Sequence, residues 1–315
     1  MIKTKLPNFL IVGAHKAGTT SLYHYLKQHP EIFLSDRKEG LFFSGLNNFS
    51  GIRSEEYNKT IIKNFSDYQK LFKNVVSENA IGDISPDYLF FYENSIEKIK
   101  KYLGEDVKII IILRNPILRA YSNYTFYFKL NLENLSFKKA LEKEDQRRKS
   151  NLRWAFRYKE IGLYYEQVRA YKKAFKNILI LDFDELKSSP QNVTKKIFEF
   201  LDVDKTFQID TSEKHNTSGI PSNRLLHYLL TKRFYAKTII YSMLKPLIFI
   251  FFSKKKLKKA LKKRISNNLH KTPIAHEDKV FLEKFYRQDI IKLQDIVDFD
   301  VKKWVNDQSN NLKSI

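Results

Sequence analysis

No cysteine occurs anywhere in this 315-residue chain. Disulfides, thiolate zinc sites and cysteine nucleophiles are therefore excluded, while the redox compartment stays open. Glycine and proline are sparse, at 9 and 8 residues, and no internal repeat or low-complexity linker interrupts the sequence. A single domain over residues 1–305 with a tail at 306–315 is expected. Long apolar runs are missing too. The stretch "PLIFIFF" holds seven residues, far fewer than the roughly 20 that span a bilayer, and the wider Thr238–Phe252 contains Lys245. Near the start, Phe9–Val12 is too short for the apolar core of a secretory signal, so a cytoplasmic location is expected. Acidic residues are outnumbered: 35 Asp plus Glu face 57 Lys plus Arg, leaving a net charge of +22. That balance points to a polyanionic partner, whether nucleic acid, an acidic membrane surface, or a phosphorylated or sulfated ligand.

What is abundant is core material, 43% hydrophobic residues with 25 Phe and 18 Tyr. Strand-like runs alternate with helical patterns. "NFLIVG" reads as a strand and "TTSLYHYLKQH" as a helix stopped by Pro30; "IFLS", Val107–Leu113 and Ile178–Phe183 read as further strands. The unbroken apolar run "VKIIIIL" fits a strand covered on both faces. Helices are expected near 93–103, 135–150, 161–176 and 189–201. The alternation predicts an α/β fold, a three-layer P-loop-type domain around a central parallel sheet. From about residue 222 to 305 the chain reads as helical and basic, ending in a helix with Phe281, Phe285, Ile290 and Leu293 on one face and then Trp304.

The first strand runs into "GAHKAGTTSL". Gly13 and Gly18 have the spacing of a phosphate-cradling turn between strand and helix. Uncapped N–H groups at the helix start, the positive end of its dipole and the hydroxyls of Thr19, Thr20 and Ser21 all suit an anion. Yet Thr19 stands where a nucleoside triphosphatase has lysine, and the loop's own lysine is Lys16. After the central strand, "IILRN" puts arginine where a magnesium-binding aspartate is expected, so the apparatus of phosphoryl transfer is incomplete. Two other readings are a P-loop kinase and a basic nucleic-acid-binding protein with a degenerate loop. No nucleic-acid-binding motif is visible.

The segment "GAHKAGTTSLYHYLKQHPEIFLSDRKEGLFF" resembles the opening of the sulfotransferases that use 3'-phosphoadenosine 5'-phosphosulfate (PAPS), in particular the heparan sulfate branch and many bacterial members. The resemblance implies that Lys16, Ala17, Gly18, Thr19, Thr20 and Ser21 wrap the 5'-phosphosulfate without a metal. "LRNPILRAYSNY" is similar to a second family motif, which implies Arg114 and Ser122 as ligands of the donor's 3'-phosphate. "GDISPDYL", "GLYYEQVRAYKKAFKNILILDFDEL", "NTSGIPSNRLL" and "FYRQDIIKLQ" extend the likeness along most of the chain. A donor-capping loop is expected at residues 213–224, with Lys214, Ser218 and Arg224 as candidates.

Sulfuryl transfer needs a base for the acceptor's proton and a cation at the departing phosphate oxygen. The resemblance of "RKEGLFF" to the glycan-sulfating branch implies Glu39 as base, and Lys16 suits the second role. A glycan or glycolipid acceptor follows, with no nucleic acid. Bland readings stand beside these: Glu39 paired with Lys38 or Arg37 on a solvated turn, His15 filling space, and Asp83 as a turn residue before Pro86 or a support for the site. Ser253–Ile265 carries eight Lys or Arg. It reads equally as an amphipathic contact with an anionic membrane, at the inner surface, or as a solvated helix covering the domain.

Overall fold

The computed structural model describes residues 5–212, 220–221, 269–270 and 272–305. The expected basic segment at Ser253–Ile265, the candidates Lys214, Ser218 and Arg224, and the tail 306–315 lie outside the described residues.

Elements follow in chain order: β1 (Phe9–Gly13), α1 (Thr19–Leu26), β2 (Ile32–Leu34), α2 (Ser54–Asn58), α3 (Phe65–Gln69), β3 (Ala80–Ile84), α4 (Asp87–Phe90) and α5 (Tyr92–Leu103). Then come β4 (Lys108–Leu113), α6 (Pro116–Lys129), α7 (Phe137–Glu142), α8 (Glu144–Lys149), α9 (Tyr164–Ala174), β5 (Ile178–Asp182), α10 (Phe183–Ser188) and α11 (Pro190–Leu201). A short antiparallel pair, β6 (Ile220–Pro221) with β7 (Leu269–His270), precedes α12 (His276–Gln294).

The main sheet is parallel and five-stranded, in the order β2-β3-β1-β4-β5. Strands β1 and β4 are the most apolar and the most buried: Phe9 to Val12 and Ile109 to Leu113 have no solvent exposure. Complete burial is the reason both read as continuous apolar runs rather than alternating ones. With β1 between β3 and β4, connections leave to opposite sides, and the crevice beyond the strands' C-terminal ends opens at that point. The turn after β1, the segment after β3 and the residues following β4 therefore share one edge.

Strand β3 has no counterpart in the sequence reading. "AIGDI" contains glycine and aspartate, both depleted in strands, yet all five residues are buried. Asp83 consequently lies within a strand, in register with Leu10 of β1, rather than in a turn before Pro86. The segment 135–150 forms two helices, α7 and α8, instead of one. In α12 the buried face is Leu282, Tyr286, Ile290 and Leu293, while Phe281 and Phe285 are 49% and 38% exposed. The core face is thus rotated by one residue at its N-terminal half. Tyr286 donates to the carbonyl of Lys159 at 2.9 Å, and Asp289 accepts from the backbone of Tyr164 at 2.8 Å. These bonds fasten α12 to the start of α9.

Gly82 on β3 faces the Phe9 ring, and an added Cβ would stand 2.1 Å from Phe9 Cζ. Phe9 has nowhere to move, so Gly82→Ala should destabilise the fold by about 1–3 kcal/mol, the usual cost of overpacking. Urea unfolding measures it; an unchanged midpoint would contradict this account of the β1–β3 contact.

Candidate functional site

The loop from β1 to α1 is tightly folded. Ala17 N–H donates to Ala14 O at 3.1 Å, and Ala14 N–H to Ile112 O on β4 at 2.7 Å. Lys16 and Gly18 take positive φ values of 66° and 95°. Glycine tolerates that conformation; lysine adopts it only where the surroundings enforce it. No side chain caps the N-terminus of α1, leaving its first-turn N–H groups available to an anion.

Arg114, immediately beyond β4, reaches back and donates from Nη1 to the carbonyl of Lys16 at 3.0 Å. Its guanidinium carbon lies 4.6 Å from the Phe183 ring centroid, and Tyr164 donates to its carbonyl at 3.0 Å. The Lys16 ammonium rests 4.0 Å from the centroid of Phe126. Desolvation pulls this lysine down to about 7, and the charges of Lys129 and Arg114 press in the same direction. Desolvation likewise lowers Arg114 from its ordinary value. A cationic group held out of water among other cations fits an anionic ligand.

Glu39 approaches from the other side, in the segment following β2. Its backbone has φ 61° and its N–H donates to Ile84 O at 3.2 Å, tying it to the end of β3. The next two aromatics anchor the segment: Phe42 stacks on Tyr68 with centroids 4.9 Å apart, and Phe43 meets Tyr88 edge-on at 5.3 Å. Both tyrosine hydroxyls donate to Asp83 Oδ2, at 3.0 Å and 2.9 Å. Asp83 thereby supports the wall that carries Glu39. Burial pushes its carboxyl up to about 6 and that of Asp87 up to about 8.

Lys38 connects the two sides. Its ammonium donates to Thr20 Oγ1 at 2.7 Å and pairs with Glu39 Oε1 at 3.3 Å. The bland expectation of a Lys38–Glu39 pair holds, but Lys38 is only 18% exposed, so it is no solvated turn. His15 packs edge-on against Trp154, with centroids 5.0 Å apart, and desolvation lowers its pKa well below the ordinary histidine value. It is a neutral ring packed behind the loop.

Lys16, Thr20, Arg114 and Glu39 are thus brought to one edge of the sheet. Ser122 is buried on α6; among the described residues no hydrogen bond joins it to Arg114. Sequence reasoning missed Phe126 and Lys129. A signal was available, because Ser122, Phe126 and Lys129 follow i, i+4, i+7 spacing along one helical face.

A sulfotransferase domain family matches residues 6–242. The chain belongs to that family. The chain is 28% identical to a solved sulfotransferase from Alicyclobacillus acidocaldarius, covering 95% of this chain and 99% of that one with a TM-score of 0.73. It is 30% identical over 161 residues to the membrane-associated sulfotransferase kil1 of Dictyostelium discoideum, covering 49% of this chain and 31% of the relative. To the mouse heparan sulfate glucosamine 3-O-sulfotransferase 3B1 it is 21% identical, over 69% of this chain and 51% of the relative. The chain spans a third to a half of the length of these two curated relatives.

The position of Lys16 near 7 predicts a pH-dependent anion site. A bound anion favours the charged ammonium, so binding takes up a proton and weakens as pH rises through 7. Calorimetric titration with inorganic sulfate, whose charge is constant in this range, should show affinity falling on the order of tenfold between about pH 6 and pH 8. Lys16→Met should abolish the dependence. Equal affinity at both pH values would contradict it.

Proposed function

We propose that this chain transfers a sulfuryl group from PAPS to a hydroxyl or amine of a carbohydrate acceptor, a polysaccharide or glycolipid. The carrying observation is the meeting of Lys16 and Arg114 on a loop that lacks a lysine after Gly18, with Glu39 on the facing wall. Ala17, Gly18, Thr19, Thr20 and Ser21 hold the 5'-phosphosulfate through backbone N–H groups and hydroxyls. Arg114 and Ser122 take the 3'-phosphate, Arg114 through its fork of donors.

The donor, when bound, supplies an activated sulfur: the acceptor oxygen bonds to it as its bond to the 5'-phosphate oxygen breaks and that oxygen keeps the electron pair. Glu39 removes the acceptor's proton during attack. Lys16 meets the negative charge that grows on the departing phosphate oxygen. With that charge met by a lysine, the reading calls for no metal.

Carbohydrate as the acceptor class rests on Glu39 and on the names of relatives such as the heparan sulfate enzyme. The net charge of +22 suits an acidic surface as well as an anionic donor. Among the described residues no helix is long and apolar enough to cross a membrane. Contact with an anionic inner membrane surface is part of the proposal and is assigned to Ser253–Ile265; the membrane-associated Dictyostelium relative supports it.

Calorimetry with 3'-phosphoadenosine 5'-phosphate (PAP), the desulfated product, tests the donor. PAP should bind in the micromolar range and in clear preference to ATP, which lacks the 3'-phosphate. Arg114→Ala should weaken PAP by at least tenfold, on the scale of a lost charge-assisted bidentate contact. Glu39→Gln should leave PAP affinity within about twofold, because the proton it accepts belongs to the acceptor. Preference for ATP, or no effect of Arg114→Ala, would sink the reading.

A further inference from the structure

Lys38 touches both halves of the site at once. Its single nitrogen lies 2.7 Å from Thr20 Oγ1 on the donor loop and 3.3 Å from Glu39 Oε1 on the acceptor wall. An ammonium has three hydrogens to give and accepts nothing. Thr20 must therefore accept from Lys38, which commits a lone pair and leaves its own hydroxyl hydrogen free to point elsewhere. Thr20 is the second residue of α1, so that hydrogen is available to an anion seated at the helix N-terminus. The same ammonium restrains Glu39, whose side chain is otherwise 44% exposed.

Resting on the sulfotransferase reading, we infer that Lys38 is a positioning residue: it orients the Thr20 hydroxyl toward the donor and holds the Glu39 carboxylate toward the acceptor. The pairing also matters as charge moves. Before transfer, the Glu39 carboxylate offsets Lys38. When Glu39 takes the acceptor's proton, that offset vanishes. The full positive charge of Lys38 is then left beside Thr20 while the electron pair of the broken sulfur–oxygen bond arrives on the 5'-phosphate. Desolvation lowers the Lys38 pKa and Glu39 opposes the shift; burying such a cation is favourable only if both partners stay in place.

The test is a double-mutant cycle on PAP binding, with Lys38→Met, Thr20→Val and the double variant, each checked by thermal melting. Lys38→Met and Thr20→Val should each weaken PAP about fivefold, and the double variant should be no weaker than the worse single. Release of sulfate from PAPS to water gives the second readout. There, Lys38→Met should lower kcat by more than it raises KM, and Lys38→Arg should restore part of kcat. If Lys38→Met fails to fold, Lys38→Gln takes its place in the cycle. Losses that simply add, or a Lys38→Met protein with wild-type kcat, overturn the inference while leaving the sulfotransferase reading standing. Wild-type protein that ignores PAP overturns both.

Discussion

Cationic side chains crowd the edge where β1 and β4 end. Burial brings the Lys16 ammonium down to about 7, the charges of Lys129 and Arg114 press in the same direction, and Glu39 opposes them. Like charges held together in partly desolvated surroundings raise the free energy of the empty site, and an anion lowers it again. The sheet order creates the crowding. Because β4 is the neighbour of β1, Arg114 leaves its strand beside the turn that carries Lys16 and bonds to that residue's carbonyl.

The opposite wall is built by apolar means. Phe42 and Phe43 fix the Glu39 segment by packing on Tyr68 and Tyr88, and Asp83 collects both tyrosine hydroxyls from beneath. Glu39 and Leu41 themselves sit at φ 61° and 59°, a conformation side-chain-bearing residues accept only when their neighbours dictate it. The two phenylalanines after Glu39 are thus what holds a partly exposed carboxylate at a defined place. A rigid cationic wall and a packed aromatic wall, joined through Lys38, give the site its shape.

Much of this was legible from residue order. The glycines around Lys16, the apolar run ending in Arg114 and the "KEGLFF" segment announced themselves by local pattern. Strand β3 did not, because Gly82 is there to admit the Phe9 ring and Asp83 to accept two tyrosines, and both needs arise only after folding. The buried face of α12 was misplaced for a similar reason: Tyr286 goes inward because its hydroxyl finds the carbonyl of Lys159, which leaves the more apolar Phe285 half in water. The helical spacing of Phe126 and Lys129 from Ser122 was visible locally, whereas the contact of Lys38 with Thr20 joins segments that no short window of sequence contains.

The central claim is that this chain moves sulfur from PAPS to a glycan. The direct measurement is incubation of the protein with PAPS carrying a radioactive sulfuryl group and a panel of unsulfated polysaccharides and glycolipids, followed by separation of glycan from nucleotide. The account predicts label in at least one glycan, with equivalent release of PAP, no requirement for added magnesium, and loss of on the order of a hundredfold or more in Glu39→Gln. Label that stays on the nucleotide with every acceptor, or transfer that Glu39→Gln performs as well as the wild type, would contradict it.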